Sequence, residues 1–101
     1  MKCKTIWGTY DVTLEATNYS YNNNLAIQMW TEVEGYPEPF ATLTVNLNYG
    51  KLPENKAFID INNCPWAEEF IRENKLGKPT GEIGYSGFCE YPMYEFNLDK
   101  I

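Results

Sequence analysis

Apolar and polar residues alternate over three long stretches of the chain. Within Tyr10 to Asn18, Val12, Leu14 and Ala16 fall on one side, with Asp11, Thr13, Glu15 and Thr17 on the other. That period of two predicts a half-buried strand. In the second stretch Leu25, Ile27, Met29, Thr31 and Val33 form an inner row, and Ala26, Gln28, Trp30, Glu32 and Glu34 form the outer row. Gly35 to Pro39 breaks the pattern, because proline cannot donate to a ladder. The third stretch runs from Phe40 to Leu47, with Ala41, Leu43, Val45 and Leu47 inward and Thr42, Thr44 and Asn46 outward. Tyr19 to Asn24 reads as a turn, since asparagine tolerates left-handed backbone and closes Asx turns. Three alternating strands with short connections predict an antiparallel meander with one wet face. Residues 2 to 7 suit a short leading strand.

The period then changes. Ala57 to Ile61 is a short strand, and Asn62 to Ile71 begins the one convincing helix, with Trp66, Ala67, Phe70 and Ile71 on a single face. Proline suits a first helical turn because its missing N–H has no partner there anyway. Asn62, Asn63 or Cys64 is the expected cap, asparagine being the better capping residue. Glu68 and Glu69 favour the positive end of the helix dipole, and Glu68 can pair with Arg72 one turn on. Gly77 is the expected stop, with Pro79 blocking continuation. Lys78 to Pro92, rich in glycine, reads as a long loop or an irregular strand, and Tyr94, Phe96 and Leu98 alternate in a last strand. The predicted fold is α+β in the order β-β-β-β-α-β. It is one domain over residues 1–101, an antiparallel sheet of about five strands with one helix packed on one face.

Composition narrows what such a domain does. A chain of 101 residues with 44% hydrophobic residues fills one core without staples. Net charge is −6, and the eight basic residues are scattered. Proteins that grip phosphates cluster their cations, so direct nucleic-acid binding is not expected. Three cysteines without a CxxC spacing argue against a disulfide framework and a structural zinc site, and fit a reducing compartment. No apolar run suits a signal peptide or a membrane span. The expectation is a cytoplasmic protein without membrane contact. The absence of histidine removes the commonest nucleophile partners, general bases and metal ligands. No cofactor or metal is expected.

Three chemical signals compete with plainer explanations. Cys64 beside a helix start could have a lowered pKa, but free cysteines are mostly buried small hydrophobes, and no partner base accompanies it. Pairing of Cys64 with Cys89 is open. Glycines 77, 81, 84 and 87 lack the Lys-Ser/Thr of a phosphate loop and serve turns. The paired acids on strand faces look like solvated surface, with no environment that would perturb a pKa. The sharper feature is the outer sheet face, composed of Asp11, Glu15, Gln28, Trp30, Glu32, Glu34, Thr42 and Thr44. A tryptophan among acids and threonines suits protein binding, because tryptophan is a common anchor. The plain alternative places Trp30 under a loop or at a dimer contact.

The second half also carries a resemblance. Phe40-Ala41-Thr42-Leu43-Thr44-Val45-Asn46-Leu47, Asp60-Ile61-Asn62-Asn63-Cys64-Pro65-Trp66-Ala67-Glu68-Glu69-Phe70, Leu76-Gly77-Lys78-Pro79-Thr80-Gly81, Ser86-Gly87-Phe88-Cys89 and Tyr91-Pro92-Met93-Tyr94-Glu95-Phe96 follow one another. Over roughly residues 25 to 101 this series resembles a domain-of-unknown-function family of small proteins. Its members are carried by conjugative plasmids and integrative elements of Gram-positive bacteria. The family offers no catalytic residues to carry over. The resemblance implies a setting in which accessory proteins help an element survive host defence, as anti-CRISPR or antirestriction proteins do. The function expected on that basis is non-enzymatic binding of a CRISPR effector or restriction nuclease through the acidic, aromatic face. The alternative is a conjugation or element-maintenance accessory protein that binds another element-encoded protein or forms a homodimer.

Overall fold

The computed structural model describes residues 1–101. Nine strands and one helix follow in the order β1 (Lys2–Thr5), β2 (Gly8–Asp11), β3 (Thr13–Asn18), β4 (Leu25–Val33), β5 (Tyr36–Thr42), β6 (Thr44–Val45), β7 (Lys56–Ile59), α1 (Ala67–Glu73), β8 (Gly77–Ser86) and β9 (Cys89–Phe96). A 3-10 turn over Leu98–Lys100 ends the chain, where the last strand was expected to include Leu98. The class is α+β with antiparallel pairing, as expected. The single five-stranded sheet is not found: β1 and β2 form a ribbon, β3-β4-β5 a second sheet, and β6-β7-β9-β8 a third. No helix is long and apolar enough to cross a membrane.

Two residues divide what the alternation joined. At Val12, 1% exposed, the chain turns from the ribbon into β3. At Leu43, wholly buried, it leaves one sheet for the next. The Leu43 N–H donates to Ile27 O at 2.9 Å on β4, and Leu43 O accepts from the Asp60 N–H at 3.0 Å just past β7. One residue thus joins both sheets through its backbone. The inner row of β4 holds at its start, where Leu25, Ile27 and Met29 are buried, but Thr31 is half-buried, Val33 is exposed, and Ala16 on β3 is exposed. On the outer row Ala26 is buried.

Proline does not end the second sheet. Glu34 and Gly35, with φ of 53° and 82°, form a two-residue turn between the partners Val33 and Tyr36. Both positive angles suit a type I′ hairpin. The strand starts at Tyr36, not Phe40, because β5 is an edge and an edge tolerates missing N–H groups at Pro37 and Pro39. The register shifts so that Met29 faces Ala41 while Trp30 faces Pro39. Phe40 is the extra residue, and its ring lies 5.2 Å from Tyr10 and 5.8 Å from Trp66.

The helix is shorter than expected and starts later. Asp60 closes the approach, accepting from the Asn63 N–H at 3.3 Å and from Asn63 Nδ2 at 2.8 Å. Trp66 is the cap residue and makes no side-chain cap bond, so none of the asparagines acts there. Glu68 forms no ion pair with Arg72 and instead accepts from the Tyr94 hydroxyl at 2.6 Å, tying α1 to β9. The helix ends before Gly77. Leu76 N–H bonds Ile71 O at 3.0 Å and Lys75 N–H bonds Arg72 O at 3.2 Å, while Lys75 holds φ of 54°. This is a Schellman closure with lysine in the left-handed position that glycine usually fills. Lys75→Gly is therefore expected to stabilise the protein by about 1 kcal/mol, since a left-handed non-glycine residue costs about that much. Thermal denaturation of the variant checks it, and an unchanged or lower midpoint counts against it.

Gly77 serves another purpose: a Cβ there would overlap the Glu95 carbonyl oxygen across the β8–β9 ladder. The glycine-rich segment is thus a strand, irregular where the register shifts between Pro79 and Ile83. The main core gathers β1, β4, β7, α1 and β9 around Leu43. A second cluster of Leu47, Phe58, Tyr91 and Met93 covers the other face of the third sheet. The inner strands β7 and β9 of that sheet are largely covered on both sides, its edge strand β8 is mostly exposed, and the second sheet keeps the expected wet face. Asn24, 4% exposed, pins the loop over this second cluster by donating to Gly50 O and accepting from the Leu52 N–H, both at 2.8 Å.

Candidate functional site

The wet face of the second sheet is built by register. Glu15 on β3 faces Gln28 on β4, and Gln28 faces Thr42 on β5. Trp30 lies one step along β4 on the same side, opposite Thr13. Its indole N–H donates to Glu15 Oε1 at 3.2 Å. Thr42 Oγ1 donates to Gln28 Oε1 at 2.8 Å, and Gln28 Nε2 donates to Ala41 O at 3.1 Å. Four of the eight expected residues therefore lie side by side in one patch, as two hydrogen-bonded pairs. The polar tip of Trp30 is satisfied, which leaves the flank of its half-buried ring as contact surface.

Two more residues border this patch. Asp11 and Glu32 line an open groove of about 810 Å³ with Trp30, Met1, Tyr10 and Pro37. The Asp11 carboxylate lies 3.2 Å from the Met1 amine and 3.9 Å from Lys2 Nζ, so its charge is partly balanced. Glu32 is exposed and has no ion pair. The free anionic character of the groove therefore sits on the β4 side.

The remaining two residues do not belong. Glu34 occupies the hairpin turn. Thr44, expected outward, is 3% exposed. Its hydroxyl accepts from the Ile27 N–H at 3.2 Å and lies 2.9 Å from the Tyr19 hydroxyl. The cause is the change of sheet at Leu43, which ends the strict alternation of one flat strand.

Several exposed hydrophobic residues escaped the alternation. Ile6 and Trp7, 84% and 79% exposed, form the tip of the β1–β2 hairpin, and Phe88 occupies the tip of β8–β9. Residues between facing strand ends project from the sheet, and Gly8 and Gly87 at positive φ are the local signal for both tips. Tyr49 lies in the bend that follows β6. Its hydroxyl accepts from the Tyr85 N–H at 2.9 Å and donates to Tyr85 O at 3.3 Å.

Burial governs the two core thiols. Cys3 and Cys64 are buried in the main core, and all three cysteines are free. Burial, aided by Asp60, pushes the Cys64 thiol up to about 11, and burial with the neighbouring Cys64 pushes Cys3 up to about 11. Both are protonated near neutral pH, so the lowered pKa considered for Cys64 is overturned. Tyr19, Tyr91 and Tyr94 are also shifted upward, with burial as the leading cause. None of these five shifted groups lines the groove beside Trp30.

Residues 13–101 match the family model described as Domain of unknown function (DUF4313), which begins at the first residue of β3 and leaves the β1–β2 ribbon outside. No curated protein and no solved structure matches the chain.

Proposed function

The chain belongs to the DUF4313 family, and on that premise we propose that it is a non-enzymatic binding protein of a mobile genetic element that inhibits a host defence nuclease. The observation that carries the reading is the patch formed by Glu15, Gln28, Trp30 and Thr42 beside the acidic groove. An aromatic ring whose polar atom is already bonded loses little on contact with a partner, and the acids around it reject like charge while drawing a basic surface. CRISPR effectors and restriction nucleases offer such surfaces, because they hold nucleic acid on clustered cations. The net charge of −6 speeds encounter with such a surface. Cytoplasmic placement and carriage on a conjugative element belong to the same proposal.

The experiment is transfer of a targeted plasmid into cells with an active CRISPR or restriction system, with and without this gene. Protection by the wild type supports the reading. Trp30→Ala is expected to weaken binding to the purified nuclease by at least about tenfold, the loss typical of a buried aromatic anchor. No protection across several nuclease types sinks the proposal.

A further inference from the structure

Each sheet has edges whose backbone groups invite another strand, and proteins commonly blunt them. Most edges here are blunted. β5 carries Pro37, Pro39 and a register shift. β8 carries Pro79 and a register shift, and the Tyr49 hydroxyl occupies both backbone groups of Tyr85. β6 has two residues and lies against β4, with Thr44 bonded to Ile27. The ribbon strands have four residues each.

β3 differs from all of these. Thr13–Asn18 contains no proline, glycine or lysine, and pairs with β4 over six positions without a shift. Beyond the ladder to β4, no N–H or C=O of these residues has a partner in the protein. In an antiparallel strand about half of those groups point away from the neighbour. On the wet side this edge presents Glu15, next to Trp30. On the other side Leu14 is half-buried and Ala16 exposed. A recess of about 290 Å³ opens there between Ala16, Leu25, Leu98, Lys51 and Glu54. Lys51 Nζ is drawn to Asn23 O at 2.7 Å and pairs with neither Glu15 nor Glu54, so no salt bridge neutralises the carboxylates near the edge.

We propose that β3 is a strand-addition edge that receives an extended partner segment in which lysine or arginine alternates with small apolar residues. The backbone of the segment completes the ladder. Its cations lie over Glu15 beside Trp30, and its apolar side chains fall along Leu14, Ala16 and the recess, because successive residues of a strand face opposite sides. A second copy fits less well, since pairing about Glu15 opposes two carboxylates and brings together two chains of charge −6. The proposal deepens the partner-binding reading, as it names what lies against the same patch.

The test uses the full chain, labelled for amide NMR, and a short capped peptide alternating lysine and valine. Binding is expected to shift the amide signals of residues 13–18 and to slow hydrogen exchange of their outward amides by at least about tenfold. The same peptide N-methylated at alternate bonds keeps its charge but cannot form a ladder, and is expected to leave those amides unprotected. Glu15→Lys, an exposed change that keeps the melting temperature, is expected to weaken the lysine peptide by at least about tenfold. Equal effects from the methylated peptide, shifts centred on another edge, or self-association of the chain through β3 would each overturn the proposal. The plasmid assay is separate. Ladder-dependent peptide binding without protection removes the nuclease reading alone, and protection without peptide binding removes the edge alone.

Discussion

Leu43→Ala is expected to lower the stability of the protein by about 3–4 kcal/mol, within the range for leucine truncation at a fully buried site. Leu43 has no exposed surface and shares the main core with Ile27, Met29 and Ile59. What sets it apart is that its surroundings cannot close up. Its N–H is tied to Ile27 at 2.9 Å and its C=O to Asp60 at 3.0 Å, so the backbone is held from both sheets while the side chain is removed. A site that cannot collapse keeps its cavity and sits toward the costly end of the range. A domain of this size has about 5–15 kcal/mol of stability in total, and its melting point falls by about 4–8 °C for each kcal/mol lost. The variant should therefore melt about 12–32 °C lower. Urea and thermal denaturation followed by circular dichroism give the number. A loss under about 1 kcal/mol would show that the sheets do not depend on this junction.

The same junction explains which parts of the fold were legible in the sequence. Leu25, Ile27 and Met29 were read correctly because β4 is a central strand with one face in the core, where burial enforces a period of two. The face of Ala67, Phe70 and Ile71 was legible for the analogous helical reason. From Phe40 to Leu47 the alternation was equally clean and yet misleading. A polar-apolar string records which side chains are buried relative to a flat strand, and carries no sign of a backbone that passes from one sheet to another at Leu43. Pro37 and Pro39 read as a break because their cost depends on whether the strand is central or an edge, a tertiary property. Gly77 read as a helix stop, and Gly84 left its segment undecided between a loop and an irregular strand, which it is. Their small size answers close neighbours, the Glu95 carbonyl for one and the Leu47 and Phe58 side chains for the other. The candidate patch was legible where it lies on β3, β4 and the end of β5. It failed at Glu34, which sits in the turn, and at Thr44, beyond the junction.

Thr44→Val is expected to cost about 3 kcal/mol although it keeps the size and branching of the side chain, because it strands the buried groups that Thr44 now serves. The Ile27 N–H bonds the Thr44 hydroxyl at 3.2 Å, at the point where β4 meets the short strand β6. Ile27 has no exposed surface, so water cannot replace the hydroxyl there without opening the core. An orphaned buried donor costs about 1–3 kcal/mol. The Tyr19 hydroxyl, 2.9 Å from Thr44 Oγ1, loses its partner as well. Burial already pushes that phenol upward, with the bond to Thr44 opposing the shift, so its ionisation should move further up in the valine variant. Thr44→Ser keeps the hydroxyl and should recover most of the lost stability, which separates the hydrogen bonds from the packing. Thr42→Val supplies the contrast. Thr42 is exposed and its hydroxyl bonds only Gln28, so losing that hydroxyl should change stability by less than about 0.5 kcal/mol while loosening the patch beside Trp30. Chemical denaturation of the three variants decides the matter. If the Thr44 and Thr42 changes cost the same, Thr44 is a surface residue after all, and the sheet change at Leu43 does not turn it inward.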